Sequence, residues 1–207
     1  MNKLITISIS AMLFAGCTSD TSTTLPLFKR NITMTQGSVE YYPNQKVKKC
    51  KLSKPVMLGD KKSTNWLHLF ESGHIKQFET AEEMRIEKHV VPANSIVFYN
   101  EKNRSRIHYI IFSKDTEIDS VICKGDGKTM TEFYNSGKLK ACFLAKDQLV
   151  QGFPCKASIS EPVYFYADGK VRILPLSADA SYSNISFKSG ESILVGQDGL
   201  VSKLKKQ

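Results

Sequence analysis

One unit, written six times, dictates what this chain can become. Its fullest copy runs over residues 133–156, FYNSGKLKACFLAKDQLVQGFPCK. Anchored on the apolar residue after each turn, the copies fall at Val47, Ile75, Ile107, Leu139, Val171 and Val201. The spacings are 28, 32, 32, 32 and 30 residues. A steady period of this size builds an array of stacked modules, each too small to bury a face alone. The copies agree beyond the anchor. Aspartate stands eight residues later at Asp115, Asp147 and Asp179, with Glu83 and Pro55 in the earlier copies. Eight further on come Cys123, Cys155 and Phe187, each followed by lysine.

Each unit reads as β-structure. Val163-Tyr164-Phe165-Tyr166 combines β-branched and aromatic residues, the types that fit a pleated, half-buried surface. Turn dipeptides follow such runs: Ser72-Gly73, Ser136-Gly137, Asp168-Gly169 and Asp198-Gly199. Glycine there supplies the positive φ of a tight hairpin. A second strand comes next, as in KLKACFL, and a Lys-Asp step marks another turn. No apolar stripe of helical period occurs after residue 20. The expected fold is all-β: six tandem repeats of about 30 residues, two to three strands each, forming an elongated, curved β-meander sheet or solenoid. Leu139 does not share alternation parity with Cys142 and Leu144, which a bulge or a corner near Lys140 would reconcile. Residues 100–105 lengthen the third turn by three residues. Insertions in repeats gather on binding faces, although drift in a tolerant turn leaves the same trace.

The runs Tyr134-Asn135-Ser136-Gly137-Lys138-Leu139 and Tyr166-Ala167-Asp168-Gly169-Lys170-Val171 resemble the Tyr-x-x-Gly-x-Leu motif of variant MORN repeats in bacterial proteins. The likeness covers residues 39–207, with a unit longer than the family's usual two-strand repeat. It implies a β-meander scaffold for contacts with proteins or lipids, and no reaction.

Residues 1–16 read as a bacterial lipoprotein signal peptide. Lys3 supplies the positive start, residues 4–14 the apolar segment, and Phe14-Ala15-Gly16-Cys17 a lipobox with phenylalanine in place of leucine. The segment is too short to span a bilayer permanently. An ordinary secretory peptide is the plainer alternative; small residues before Cys17 and a Ser/Thr-rich run after it favour lipidation. Cys17 is then the lipid-bearing N-terminus, and several acyl chains anchor stably where one does not. Thr18 in place of aspartate directs such a protein to the outer membrane of a two-membrane host. Residues 17–38 read as the lipidated cysteine and a flexible tether, with Leu25, Leu27 and Phe28 placed to dock on the domain edge. Residues 39–207 form the β-repeat domain.

Charge suggests what such a domain meets. Lys and Arg number 29 against 20 Asp and Glu, a net +9, and loss of the signal removes only Lys3, leaving +8. Lysine dominates, and as a hydrated point charge it suits diffuse attraction to polyanions. Lys46, His74, Arg106, Lys138 and Lys170 precede five successive anchors; Lys48, Lys76, His108, Lys140 and Arg172 follow them. Positions i and i+2 of a strand share a face, so stacked units align two basic columns. An aromatic column, Tyr42, Phe70, Tyr99, Tyr134 and Tyr166, runs before the turns. The candidate binding site is therefore Lys46, Lys48, Lys76, Arg106, Lys138, Lys140, Lys170, Arg172, Tyr134 and Tyr166. Its expected ligand is an acidic macromolecule: a host-matrix or envelope polyanionic glycan, or an acidic protein. No nucleic acid is expected. The plainer account carries more weight: lysines beside turns blunt sheet edges, and aromatic columns support cross-strand packing.

Cysteine and histidine usage adds little chemistry. Cys50, Cys123, Cys142 and Cys155 remain besides Cys17, and export makes disulfides the default. A strand–turn–strand centred between Lys146 and Gln151 favours Cys142 with Cys155, and Cys123 with Cys142 is the rival. His68, His74, His89 and His108 are scattered, with no metal-ligand spacing, cofactor motif or nucleophile motif. Asp115, Asp147 and Asp179 read as turn-stabilising residues, since one carboxylate per turn is a thin shell for calcium. Trp66 reads as core. The expected protein is a non-enzymatic outer-membrane lipoprotein acting as a binding or scaffold module. The alternative is an accessory protein of envelope assembly that docks by strand addition at an open sheet end.

Overall fold

The computed structural model describes residues 21–25, 30–182 and 184–204. The signal peptide, Cys17, Leu27 and Phe28 lie outside them. The described chain is all-β, with no helix. Six hairpins make one antiparallel sheet. They are Glu40–Tyr41 with Val47–Lys51, Lys61–Leu69 with Ile75–Thr80, Ile96–Tyr99 with Ile107–Ile111, Met130–Phe133 with Leu139–Cys142, Val163–Phe165 with Val171–Pro175, and Ser192–Val195 with Val201–Lys203. Each pairs only with its neighbours in chain order, so the sheet is an open meander.

Between successive sheet hairpins the chain inserts a shorter one. These are Met84–Ile86 with His89–Val91, Thr116–Ile118 with Val121–Cys123, Gln148–Val150 with Phe153–Cys155, and Ala180–Tyr182 with Ile185–Phe187. In the first interval Val56–Leu58 instead folds onto Lys61–Leu69. The central units thus hold four strands each, where two to three were expected. Two of the short hairpins turn on paired left-handed residues. Asp119 and Ser120 have φ of 48° and 66°, Gln151 and Gly152 of 50° and 88°, the combination that matches strand twist.

The short hairpins cover one face of the sheet. Leu58, Ile86, Ile118 and Val150 from the short strands are buried with Phe78, Val97, Ile110, Leu174 and Ile193 from the sheet, all in one hydrophobic cluster. Each such side chain contributes roughly 1.5–3 kcal/mol by leaving water.

A bulge recurs beside the turns. Glu132 faces Ala141 while Phe133 faces Leu139, which makes Lys140 the surplus residue. Lys48, Lys76, His108 and Arg172 are surplus in the same way; the sixth hairpin pairs without a shift. The surplus residue re-phases the alternation, so Leu139 and Cys142 are both buried, as the parity conflict required.

In three units the anchor's amide takes its acceptor from a short-hairpin tip. Ile107 N–H donates to Glu87 Oε1 at 3.0 Å, Leu139 N–H to Asp119 Oδ2 at 3.3 Å and Val171 N–H to Gln151 Oε1 at 2.9 Å. All three tips have positive φ, and all carry a side-chain acceptor. The recurring aspartates fasten the open end of three of the short hairpins. Asp115, Asp147 and Asp179 accept from the amides of Gly125, Ala157 and Ser189 at 2.9, 2.7 and 2.9 Å.

The expected tether to residue 38 is shorter than that. Thr21–Leu25 pairs with Arg30–Met34, and Ile32 and Met34 are fully buried in the core. Thr35 N–H also bonds Lys51 O at 2.9 Å. The alternation in Asn31-Ile32-Thr33-Met34 is the strand signal there, four residues long and easily lost in a polar stretch. Trp66 is another correction. It is half-buried, with the Lys49 ammonium 5.3 Å from its ring centroid.

Removing a tip acceptor strands a backbone donor. Asp119→Ala is expected to cost about 1–3 kcal/mol in urea unfolding. Asp119→Asn keeps the acceptor and suits the left-handed backbone, so it should cost clearly less.

Candidate functional site

The turns of the six hairpins bring the predicted basic and tyrosine residues to one edge of the sheet, and most have partners within the chain. Tyr42, Tyr134 and Tyr166 hydroxyls donate to the carbonyls of Leu69, Phe165 and Val195 in the next unit, at 2.9, 2.7 and 3.0 Å. The aromatic column therefore staples neighbouring modules. Lys138 Nζ donates to Asp168 O at 2.7 Å and Lys170 Nζ to Gln197 O at 3.4 Å, hooking the next turn. Lys140 pairs with Glu132 at 2.8 Å and Arg106 reaches Glu87 at 3.9 Å. Arg172 lies over Tyr166 and Lys76 over Phe70, at 5.6 and 6.0 Å from the ring centroids. Lys46, Lys48, Lys76, Arg106, Lys170 and Arg172 are nonetheless exposed, and Lys138 and Lys140 half-buried.

The third turn departs from this pattern. Asn100 N–H bonds Arg106 O, whereas Tyr134 N–H bonds Lys138 O. Asn100 therefore occupies the place of Tyr134, and the insertion is two residues, where three were expected. Tyr99 leaves the aromatic column and turns into the core, where it is 8% exposed. Its hydroxyl has no hydrogen-bond partner. Burial, with the carboxylates of Asp60 and Glu87, pushes its pKa up.

Two concavities flank this turn, and Tyr99 lines both. One, of about 330 Å³, is bounded by Lys61, His74, Ile75, Ile86, Glu87, Arg104 and Ser105. The other, of about 570 Å³, gathers Lys76, Lys102 and His108 around the Phe98–Tyr109 stack. Those two rings lie 4.0 Å apart at 23°. A stacked aromatic pair with Lys76, Lys102 and His108 at its rim, beside the carboxylate of Glu101, offers apolar contact and mixed charge to a ligand. Lys61, Lys102, Arg104, Phe98 and Tyr109 were not singled out from the sequence. Only the lengthened turn pointed to this place.

The face of the sheet away from the short hairpins carries a continuous cross-strand row. It runs Glu40, Lys49, His68, Gln77, Phe98, Tyr109, Glu132, Ala141, Tyr164, Ile173, Leu194, Ser202. It is charged and polar at the N-terminal end and mostly aromatic or aliphatic from the third unit on, interrupted by Glu132 and ended by Ser202, with Tyr164 38% exposed.

Among the described residues, Cys50, Cys123, Cys142 and Cys155 are buried free thiols. The short hairpin that holds Cys155 turns at Gln151 and Gly152, later than expected, so Cys155 pairs with Gln148 and bridges Leu176. It is not set opposite Cys142 as the favoured pairing required. The interaction with Cys123 is the leading cause of the raised Cys142 pKa, ahead of burial. Burial alone pushes Cys50 up to about 11, and burial pushes Cys155 up to about 12. No group of three His, Cys, Asp or Glu among the described residues could hold a metal ion. His89 is buried, and its Nε2–H donates to Gly137 O at 2.8 Å. Burial holds its imidazole below the ordinary value, outweighing the carbonyl. His68 is lowered chiefly by burial too.

No protein-family profile, curated protein or solved structure matches this chain.

A staple can be told from a ligand contact by stability. Tyr134→Phe and Tyr166→Phe should each lower the unfolding free energy by about 1 kcal/mol, read by urea denaturation without any ligand. The histidines set a pH dependence. The unfolded chain takes up their protons first, so the stability they contribute is complete above about pH 6.5 and is lost as pH falls through the lower folded values. The urea midpoint should therefore drop between about pH 7 and pH 5, and less steeply in His89→Gln, whose amide can still donate to Gly137 O.

Proposed function

We propose that this protein is a non-catalytic binding module, anchored to the bacterial envelope through lipid on Cys17, that holds an acidic macromolecule along the turn edge of its sheet. One observation carries the reading. The turn edge collects exposed cations from successive units, and beside the third unit Lys76, Lys102 and His108 gather with Glu101 around the stacked Phe98 and Tyr109. A polyanion meeting that edge exchanges its counterions for lysine contacts, so attraction is long-ranged and salt-dependent. The resemblance to MORN-type repeats and the lipobox-like Phe14-Ala15-Gly16-Cys17 support the same picture. So does the assignment of the turn tyrosines and of Lys138 and Lys170 to structural bonds, because it leaves the exposed Lys46, Lys48, Lys76 and Arg172 to meet a ligand, the last two lying over the rings of Phe70 and Tyr166.

The second reading, an accessory protein that docks on another envelope protein, draws on a different feature. The sheet ends are short strands, Glu40–Tyr41 and Val201–Lys203, which offer little for strand addition. The apolar half of the outer row offers a partner more surface than either end does.

Retention on a sulfated polysaccharide column separates the two readings. Polyanion binding should weaken steeply with salt, and changing Lys46, Lys48, Lys76 and Arg172 together to Gln should cut affinity at least roughly tenfold. Unchanged retention of that variant would sink the polyanion reading. The anchor is tested apart from the ligand: Cys17→Ala should shift the protein from the membrane fraction to the soluble fraction.

A further inference from the structure

We propose that Cys123 and Cys142 form a disulfide that locks a short hairpin to the sheet. Cys123 closes the short hairpin Thr116–Ile118 with Val121–Cys123 and makes an isolated β-bridge with Leu144. Lys124 N–H bonds Phe143 O at 2.8 Å and fixes that juxtaposition. Cys142 lies two residues before Leu144 and, like it, is buried on the inner face, so its side chain sits diagonally across from Cys123. Both cysteines are fully buried.

The neighbouring modules show what this position ordinarily holds. The same short-hairpin and sheet positions are taken by Val91 with Ile110 and by Cys155 with Leu174, each pair 19 residues apart, as Cys123 and Cys142 are. At the N-terminal end, Met34 bridges Leu52, which puts Met34 in the place of Cys123 and Cys50 in that of Cys142. Cys50 and Cys155 thus each meet a side chain that cannot form a disulfide. Among these equivalent positions, the pair of Cys123 and Cys142 has a thiol on both sides.

The chemistry requires an oxidant, here a disulfide donor of the kind found in oxidising compartments. The thiolate of one cysteine attacks the donor disulfide and releases one donor thiol. The thiolate of the other cysteine attacks the mixed disulfide and releases the second. The Cys123–Cys142 bond forms, two protons leave the cysteines, and the two electrons reduce the donor to two thiols. Because both sulfurs are sealed from solvent, exchange takes place before the short hairpin closes over the sheet, or when it opens. Oxidation is therefore fast during folding and slow afterwards. The export reading decides where this happens; the pairing stands independently of it.

The test uses the whole chain with Cys17→Ser, reduced and unfolded, then refolded in a mixture of oxidised and reduced glutathione. After alkylation in denaturant and cleavage at lysine and arginine, residues 115–124 (DTEIDSVICK) should be joined to residues 141–146 (ACFLAK), and the joint should vanish on reduction. A joint between residues 141–146 and 147–156 (DQLVQGFPCK) overturns the proposal, as does alkylation of all four cysteines. The double variant Cys123→Val with Cys142→Ile copies the Val91 and Ile110 pair and keeps the core filled. Oxidative refolding should raise the urea midpoint of the parent and leave that of the variant unmoved; an equal rise in both overturns it.

Discussion

A surplus residue beside the turns of the first five hairpins is the constraint from which most of this molecule follows. The bulge lets two residues of unlike parity face the same core, and the anchor amide next to it then needs an acceptor from elsewhere. Glu87, Asp119 and Gln151 supply it from the tips of the short hairpins. That requirement sets how far each short hairpin extends and places Ile86, Ile118 and Val150 over the sheet as a second layer. It also explains why lysine, histidine or arginine recurs after the anchor. A long polar chain at a bulge can leave the core for solvent, where an apolar one would be exposed.

The turn edge serves the stack before it serves any ligand. Tyrosine hydroxyls and the ammonium of Lys138 satisfy carbonyls across neighbouring turns, while Lys140 and Arg172 are held within their own hairpins by Glu132 and the Tyr166 ring. What remains open to a partner is uneven along the array. It is richest beside the third unit, where Asn100 replaces the stapling tyrosine and the longer turn lifts Lys102 and Arg104 outward. A module that gives up its staple gains a groove.

Much of the fold was legible in the sequence because it is written in residue types that have few other uses. Glycines 73, 137, 169 and 199 all take the positive φ their turns require, and the parity conflict pointed to the neighbourhood of Lys140, where a bulge stands. Asp115, Asp147 and Asp179 proved to be backbone acceptors. The short hairpins were hidden, because strands of three residues show no periodicity and Asp119-Ser120 is a weak turn signature. Placing the turn of the hairpin that holds Cys155 too early set Cys155 opposite Cys142, whereas it pairs with Gln148. Tyr99 was misassigned for a related reason: an insertion shifts every residue counted across it, and only the closing bond from Asn100 to Arg106 sets the register. The groove itself was out of reach, since Phe98 and Tyr109 become neighbours only once the hairpin closes.

Tips, staples and hooks in this molecule reach one module onward, or two at most, as when His89 meets Gly137. The chain therefore behaves as a row of links with short memory. An error of packing in the middle is felt by the adjoining links and fades beyond them, and the array could be lengthened or shortened by whole links without redesigning a shared centre. The ends, each with a single neighbour, are where such a row first comes undone.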